Sequence, residues 1–167
     1  MFERFTREAL QVVVAAQEEC RRLREPQISC VHLLLALTRD GHALTTLLAR
    51  HGLSPDALDE HASDAVTGSG LDAEVVRRAW RRRLARASRD RARRRSGHLP
   101  FRADTKKCLE LSLREAVRLE SRQIGVEHLA LGILRDPGPL LSPILVALAV
   151  DVPALRRDLE LLGRPAA

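Results

Sequence analysis

The sequence predicts an all-α fold of two tandem four-helix repeats with pseudo-two-fold symmetry, joined by an Arg-rich insertion that is itself predicted to be helical. Three observations predict it. Of 167 residues, 45% are hydrophobic but only 2% are aromatic, so the core has to be built from Leu, Val, Ile and Ala, which suits packed helices better than sheets. Apolar residues recur at three- and four-residue spacing, the period of one helix face. The chain also repeats itself. Shifted by 96 residues, Phe5 falls on Phe101, Glu19 on Glu115, Arg22-Leu23 on Arg118-Leu119, Gln27-Ile28 on Gln123-Ile124, His32-Leu33 on His128-Leu129 and Arg39-Asp40 on Arg135-Asp136.

Each copy reads as four helices. The first runs from Thr6 to about Leu23, with Ala9, Val13, Ala16, Cys20 and Leu23 on one face. A short loop through Pro26 and Ile28 leads to a second helix opened by Ser29, a natural N-cap, whose run His32-Leu33-Leu34-Leu35-Ala36-Leu37 is apolar enough to be the buried centre. A third helix spans Ala43 to Arg50 and stops at Gly52, and Ser54-Pro55 opens a fourth with Ser at the cap and Pro at the first helical position. The second copy repeats this plan from Arg102 to Leu162, with one extra residue near Pro137-Gly138-Pro139. The expected divisions are a first repeat at 1–66, an insertion at 67–98, a second repeat at 99–163 and a tail at 164–167, the two repeats sharing one globular domain.

The net charge of +6 is concentrated in the insertion. Between Arg77 and Arg95 lie eleven arginines and one acidic residue, Asp90, a local charge of +10, so the rest of the chain sums to −4. The composition from Leu71 to Arg95 favours a helix, with Val75, Val76, Ala79, Trp80, Leu84 and Ala87 forming a thin apolar stripe, between polar joints at 63–70 and 96–97. It reads either as a solvated linker helix with Trp80 tucked against the repeats or as an electrostatic contact for an acidic partner or nucleic acid.

Several function classes are disfavoured. No stretch reaches the roughly 18 to 20 apolar residues of a membrane helix, and Met1-Phe2-Glu3-Arg4-Phe5 lacks the apolar run of a signal peptide, so a cytoplasmic location without membrane contact is expected. Cys20, Cys30 and Cys108 lack zinc-site spacing and are expected to be reduced. His32 and His128 share no neighbouring ligand set across the copies and read as buried, hydrogen-bonded histidines, so no metal is expected. There is no G-x-x-x-x-G-K-[ST] phosphate loop and no nucleophile with a base partner, so no cofactor and no catalytic residues are expected.

Met1-Phe2-Glu3-Arg4-Phe5-Thr6, Val12-Val13-Val14-Ala15-Ala16-Gln17-Glu18-Glu19, Leu109-Glu110-Leu111-Ser112-Leu113-Arg114-Glu115-Ala116 and Ile124-Gly125-Val126-Glu127-His128 together resemble the amino-terminal double-repeat domain of the Clp AAA+ unfoldases, especially the ClpC type. The resemblance covers nearly the whole chain outside residues 68–97. It implies a non-enzymatic domain that recruits peptidic ligands, marked substrate proteins or adaptors to a Clp unfoldase and protease. Whether the chain stands alone or is part of a longer ATPase is left open by the sequence.

The resemblance also implies two kinds of site. A groove beside the first helices of the two repeats accepts cyclic peptides of the cyclomarin kind in ClpC-type domains, and its lining corresponds here to Phe2, Val13, Val14, Gln17, Phe101, Lys106 and Glu110. The residue chemistry suits this: Phe2 and Phe101 supply scarce aromatic area, Gln17 an amide, and Lys106 and Glu110 sit four apart on one helical face. The alternative reading of Val13 and Phe101 is that they are core residues. The second kind of site recognises phosphoarginine through a glutamate before the repeat histidine. Glu127 keeps that carboxylate in the second copy, although Val126 replaces the usual threonine, whereas the first copy has Val31 at the position. The expectation is therefore one pocket at Glu127 and none at Val31, with Glu127 alternatively a simple stabiliser of its helix start. A separate reading from another class makes the chain a nucleic-acid binder through its arginine segment.

Overall fold

The computed structural model describes residues 2–39, 41, 43–67 and 99–164. After a short 3-10 turn at Phe2–Arg4, the first repeat comprises α1 (Arg7–Arg22), α2 (Cys30–Arg39), α3 (Ala43–Arg50) and α4 (Pro55–Thr67). The second comprises α5 (Ala103–Arg118), α6 (Val126–Arg135), α7 (Gly138–Ala147) and α8 (Val152–Leu162). The fold is all-α, as expected. The arginine segment, its predicted helix and Trp80 lie outside the described residues.

The helices begin where their caps are. Thr6 accepts from the amide of Ala9 at 3.2 Å, Ser54 from Ala57 at 3.2 Å, and Asp151, the counterpart of Ser54, from Ala154 at 2.9 Å. They also end alike, since left-handed residues recur at matching places. Arg24 and Glu120 have φ of 56° and 58°, and Gly52, at 82°, is matched by Ala149 at 50°.

The two repeats are tied by reciprocal backbone bridges. Phe5, just before α1, pairs in parallel with Ile124, just after α5, while Phe101, just before α5, pairs with Ile28, just after α1. Thr6 N–H donates to Ile124 O at 3.0 Å and Ile124 N–H to Arg4 O at 2.7 Å; on the other side Arg102 N–H donates to Ile28 O and Ile28 N–H to Pro100 O, both at 2.9 Å. Each repeat thus satisfies backbone groups of the other, and the start of each first helix is held beside the end of its counterpart. It follows that α1 and α5 run antiparallel.

The core forms around α2 and α6, which pack on each other and on the first helix of both repeats. Every residue from Cys30 to Thr38 is buried, as is every residue from His128 to Leu134. Such runs, apolar all round, are stable only as central helices. All three cysteines are buried, and none is in a disulfide. No single helix among the described residues is long and apolar enough to cross a membrane, and α6 with α7 reach that composition only together across a 92° bend.

One buried polar feature is duplicated. Glu19 is 9% exposed and binds Arg22 Nε at 2.8 Å and Arg39 Nε at 3.1 Å; Asp59 from α4 pairs with the same two arginines. Glu115 is fully buried and is clamped by Arg118 at 2.7 Å, Arg135 at 2.9 Å and Arg156 at 3.4 Å. Burial raises the pKa of Glu115, but hydrogen bonds from Arg118 and Arg135 outweigh it and hold the carboxyl below its ordinary value.

Candidate functional site

Candidate groove residues fall on α1, α5 and the segments that lead into them. Val14 is 59% exposed and Gln17 half-buried on α1, and Lys106 and Glu110 are exposed on α5. Phe101 is half-buried at its bridge to Ile28, and Phe2 opens the 3-10 turn, its side chain lying outside the description. Val13 is different: it is 6% exposed and belongs to the core cluster, so it presents no free side chain. The face these helices offer to solvent also includes Leu10, Leu113 and Val117, which the sequence reading did not single out. Their signal was available, because Leu10 lies one turn from Val14, Leu113 one turn from Glu110 and Val117 two turns from Glu110.

Glu127 stands in the first turn of α6, at an open cavity of about 340 Å³ between the repeats. Thr6 and Glu8 at the start of α1, Leu44 of α3, Leu162 of α8 and residues 125–127 line it. Burial raises the Glu127 pKa, but contact with His128 and a hydrogen bond from its own backbone N–H outweigh that and keep the carboxyl below its ordinary value. Its Oε1 stands 2.9 Å from His128 Nδ1, the nitrogen that also accepts Gly125 N–H at 3.0 Å. Glu127 therefore both faces the cavity and covers the start of its own helix.

The first repeat solves the same local problem another way. There Ser29 donates its N–H to His32 Nδ1 at 2.9 Å, and its hydroxyl lies 2.9 Å from the same nitrogen, where the Glu127 carboxylate stands in the second repeat. Val31 is 6% exposed and packs into the core. Gly125 is what permits the glutamate solution, because a Cβ at that position would lie 2.2 Å from Glu127 Oε1. Gly125 aligned with Ser29, so the exchange of Ser29 and Val31 for Gly125 and Glu127 was visible in the sequence. Its meaning needed the atoms.

Both histidines are buried, and Nε2 of each has no hydrogen-bond partner among the described residues. The His32 pKa is pushed down to about 4, first by burial and then by the charges of Arg22 and Arg102. A folded-state value below the ordinary 6.5 means that the unfolded chain binds a proton that the folded chain refuses. Stability from this residue is complete above pH 6.5 and is lost as the pH falls toward 4, by roughly 3 kcal/mol. Denaturant midpoints of the wild type and His32→Gln between pH 4 and 7 should show the flatter profile in the variant; parallel profiles would remove His32 as the source.

The family model that matches the chain, over residues 4–70 and 100–165, is that of the Clp repeat (R) N-terminal domain. Similar curated proteins include the ATP-dependent Clp protease ATP-binding subunit ClpA homolog of Porphyra purpurea, 32% identical over 169 residues, which cover 99% of this chain and 18% of the relative. The chaperone protein ClpC1, chloroplastic, of Oryza sativa subsp. japonica is 33% identical over 153 residues, covering 90% of this chain and 14% of the relative. The chain thus spans less than a fifth of the length of these relatives. Among solved structures, the N-terminal domain of ClpD from Arabidopsis thaliana superposes with a TM-score of 0.71 at 20% identity, covering 97% of this chain and 95% of that one. The Hsp104 N-terminal domain from Candida albicans gives 0.67 at 15% identity, with 98% and 94% covered.

Proposed function

The chain belongs to the Clp repeat N-terminal domain family, and from that premise we propose that it is a non-enzymatic receptor for peptidic ligands, acting as substrate receptor, adaptor or ligand-sequestering decoy for a Clp protease in the cytoplasm. The observation that carries this reading is the exposed face of α1 and α5. Val14 stands in solvent beside Gln17, and Lys106 and Glu110 are exposed on α5, so apolar area and polar groups are available together on two helices held by the core. Cyclic peptides of the cyclomarin kind are the proposed ligands there, with Phe2 and Phe101 as aromatic contacts and Val13 beneath. The Glu127 cavity is the proposed site for a guanidinium-bearing side chain, phosphoarginine among them, and Val31 supplies no equivalent.

Calorimetry with a cyclomarin-type peptide and with free phosphoarginine tests both sites. Phe2→Ala should weaken the cyclic peptide by about tenfold or more and leave phosphoarginine unchanged, and Glu127→Ala should do the reverse. Unaltered affinities in both variants would remove the site assignments. The concentration of eleven arginines between Arg77 and Arg95 supports a second reading, nucleic-acid binding. Affinity built on phosphate contacts would fall by orders of magnitude between low and physiological salt, whereas groove docking changes little.

A further inference from the structure

A second open cavity, of about 380 Å³, lies between α3 of the first repeat and α8 of the second, lined by Leu47 and Arg50 on one side and Asp158, Leu161 and Leu162 on the other. It adjoins the Glu127 cavity. Leu162 lines both, and Leu44 of the Glu127 cavity stands one turn before Leu47 on α3. Leu161 and Leu162 are 68% and 49% exposed on the α8 wall, and Leu47 is half-buried on the α3 wall. Isolated exposed leucines are ordinary, but three lining one cavity that continues a charged pocket make a place for an apolar group.

The duplication shows that these side chains belong to the Glu127 side and not to the fold as such. Past the extra residue before α7 the copies correspond at a shift of 97, as Ser54 and Asp151 do. At that shift Arg50 corresponds to Ala147, Asp158 to His61, and Leu161 and Leu162 to Asp64 and Ala65. Leu44 and Leu48, which bury α3 in the core, correspond to Leu141 and Leu145, which do the same for α7. A packing requirement would be met in both copies, as it is at those leucines. The leucines of the cavity instead accompany Glu127 and are replaced on the side where Val31 replaces it.

The polar groups of the cavity fit a main chain. Asp158 Oδ2 lies 2.8 Å from His51 Nε2, which fixes the carboxylate on the α8 wall, and Arg50 is exposed with no ion pair among the described residues. A donor on α3 and an acceptor on α8 match the carbonyl and N–H groups of an extended chain lying between them. One helical turn, about 5.4 Å, separates Leu44 from Leu47, and an extended chain advances about 3.3 Å per residue, so about two residues carry a peptide from one cavity to the next. We propose that the cavity between α3 and α8 is a specificity subsite for an apolar side chain borne by the same peptide, about two residues from the guanidinium-bearing residue at Glu127. The proposal rests on the Glu127 reading and adds the sequence context in which such a residue is taken.

The test uses the full chain, free phosphoarginine, and labelled peptides in which one phosphoarginine stands among serines, with a single leucine placed in turn one, two or three residues before or after it. Fluorescence anisotropy should show a gain of at least about fivefold over the all-serine peptide, largest with leucine about two residues away on one side. Leu161→Ser should remove that gain and leave the affinity for free phosphoarginine unchanged by calorimetry, because Leu161 lines this cavity and not the Glu127 one. Leu161 is exposed, so retained helicity by circular dichroism is expected, and the comparison of peptides on the wild type needs no variant. No gain from leucine at any placement, or a gain that survives Leu161→Ser, would overturn the proposal; phosphoarginine bound all the same would leave the Glu127 reading intact. If neither free phosphoarginine nor any of the peptides binds, both fall.

Discussion

Glu115→Ala is expected to lower stability by about 3 kcal/mol, and Glu19→Ala by about half as much, measured as shifts of the denaturant midpoint. The difference comes from what each substitution strands. Removing Glu19 leaves Arg22 and Arg39 still paired with Asp59. Removing Glu115 leaves Arg118 with Glu160 but takes from Arg135 and Arg156 the only carboxylate they have among the described residues, three cations gathered around one vacated point. The arginine side chains remain 25% to 45% exposed and can turn partly to water, which keeps the cost near the low end for a buried pair. Equal effects of the two substitutions, or a Glu115 effect under about 1 kcal/mol, would contradict this account. Acid acts in the same direction. Since the folded-state pKa of Glu115 is depressed, its contribution is present at neutral pH and disappears as the pH falls through that lowered value, after the loss from His32 has begun.

Gly132→Ala should cost about 1–3 kcal/mol despite adding a single methyl group to a helix that would otherwise gain from it. A Cβ on Gly132 would lie 2.3 Å from Ser112 Oγ, 2.7 Å from Cys108 O and 2.8 Å from Ser112 N, so α6 meets the backbone of α5 directly. The first repeat carries Ala36 and Ala16 at the corresponding places, both buried, so its helices accommodate that methyl group. Adding Ser112→Ala to the variant removes only the hydroxyl clash and should restore part of the loss, because the two backbone contacts remain. Thermal unfolding of the single and double variants measures it; a neutral Gly132→Ala would show that α5 and α6 separate without penalty.

The duplication made most of the fold legible. Helix starts at Thr6 and Ser54, the buried centre at α2, and the extra residue before α7 all follow from local capping and periodicity, which act over a few residues and leave their mark in the order of side chains. Groove candidates were legible only in part. Val14, Lys106 and Glu110 are exposed, but Val13, one residue from Val14, is in the core, because successive helix residues point about 100° apart and only the packing decides where the boundary falls. Glu19 and Glu115 show the opposite gap. Both were aligned identities, yet nothing in a one-dimensional pattern says that an acidic residue is buried when its arginine partners come from later helices.

By itself, then, the sequence determined that the chain is helical, duplicated and charged in one segment, since composition, period and self-similarity are properties of neighbours along the chain. Tertiary structure alone decided that each repeat completes the backbone of the other through Phe5 with Ile124 and Ile28 with Phe101. It decided that α1 and α5 are antiparallel, bringing Leu10 and Val14 to the same end as Leu113 and Val117, and that Glu127 occupies the space a side chain on Gly125 would need. These depend on contacts between residues about 100 positions apart, whose energies arise only when the two copies are packed together.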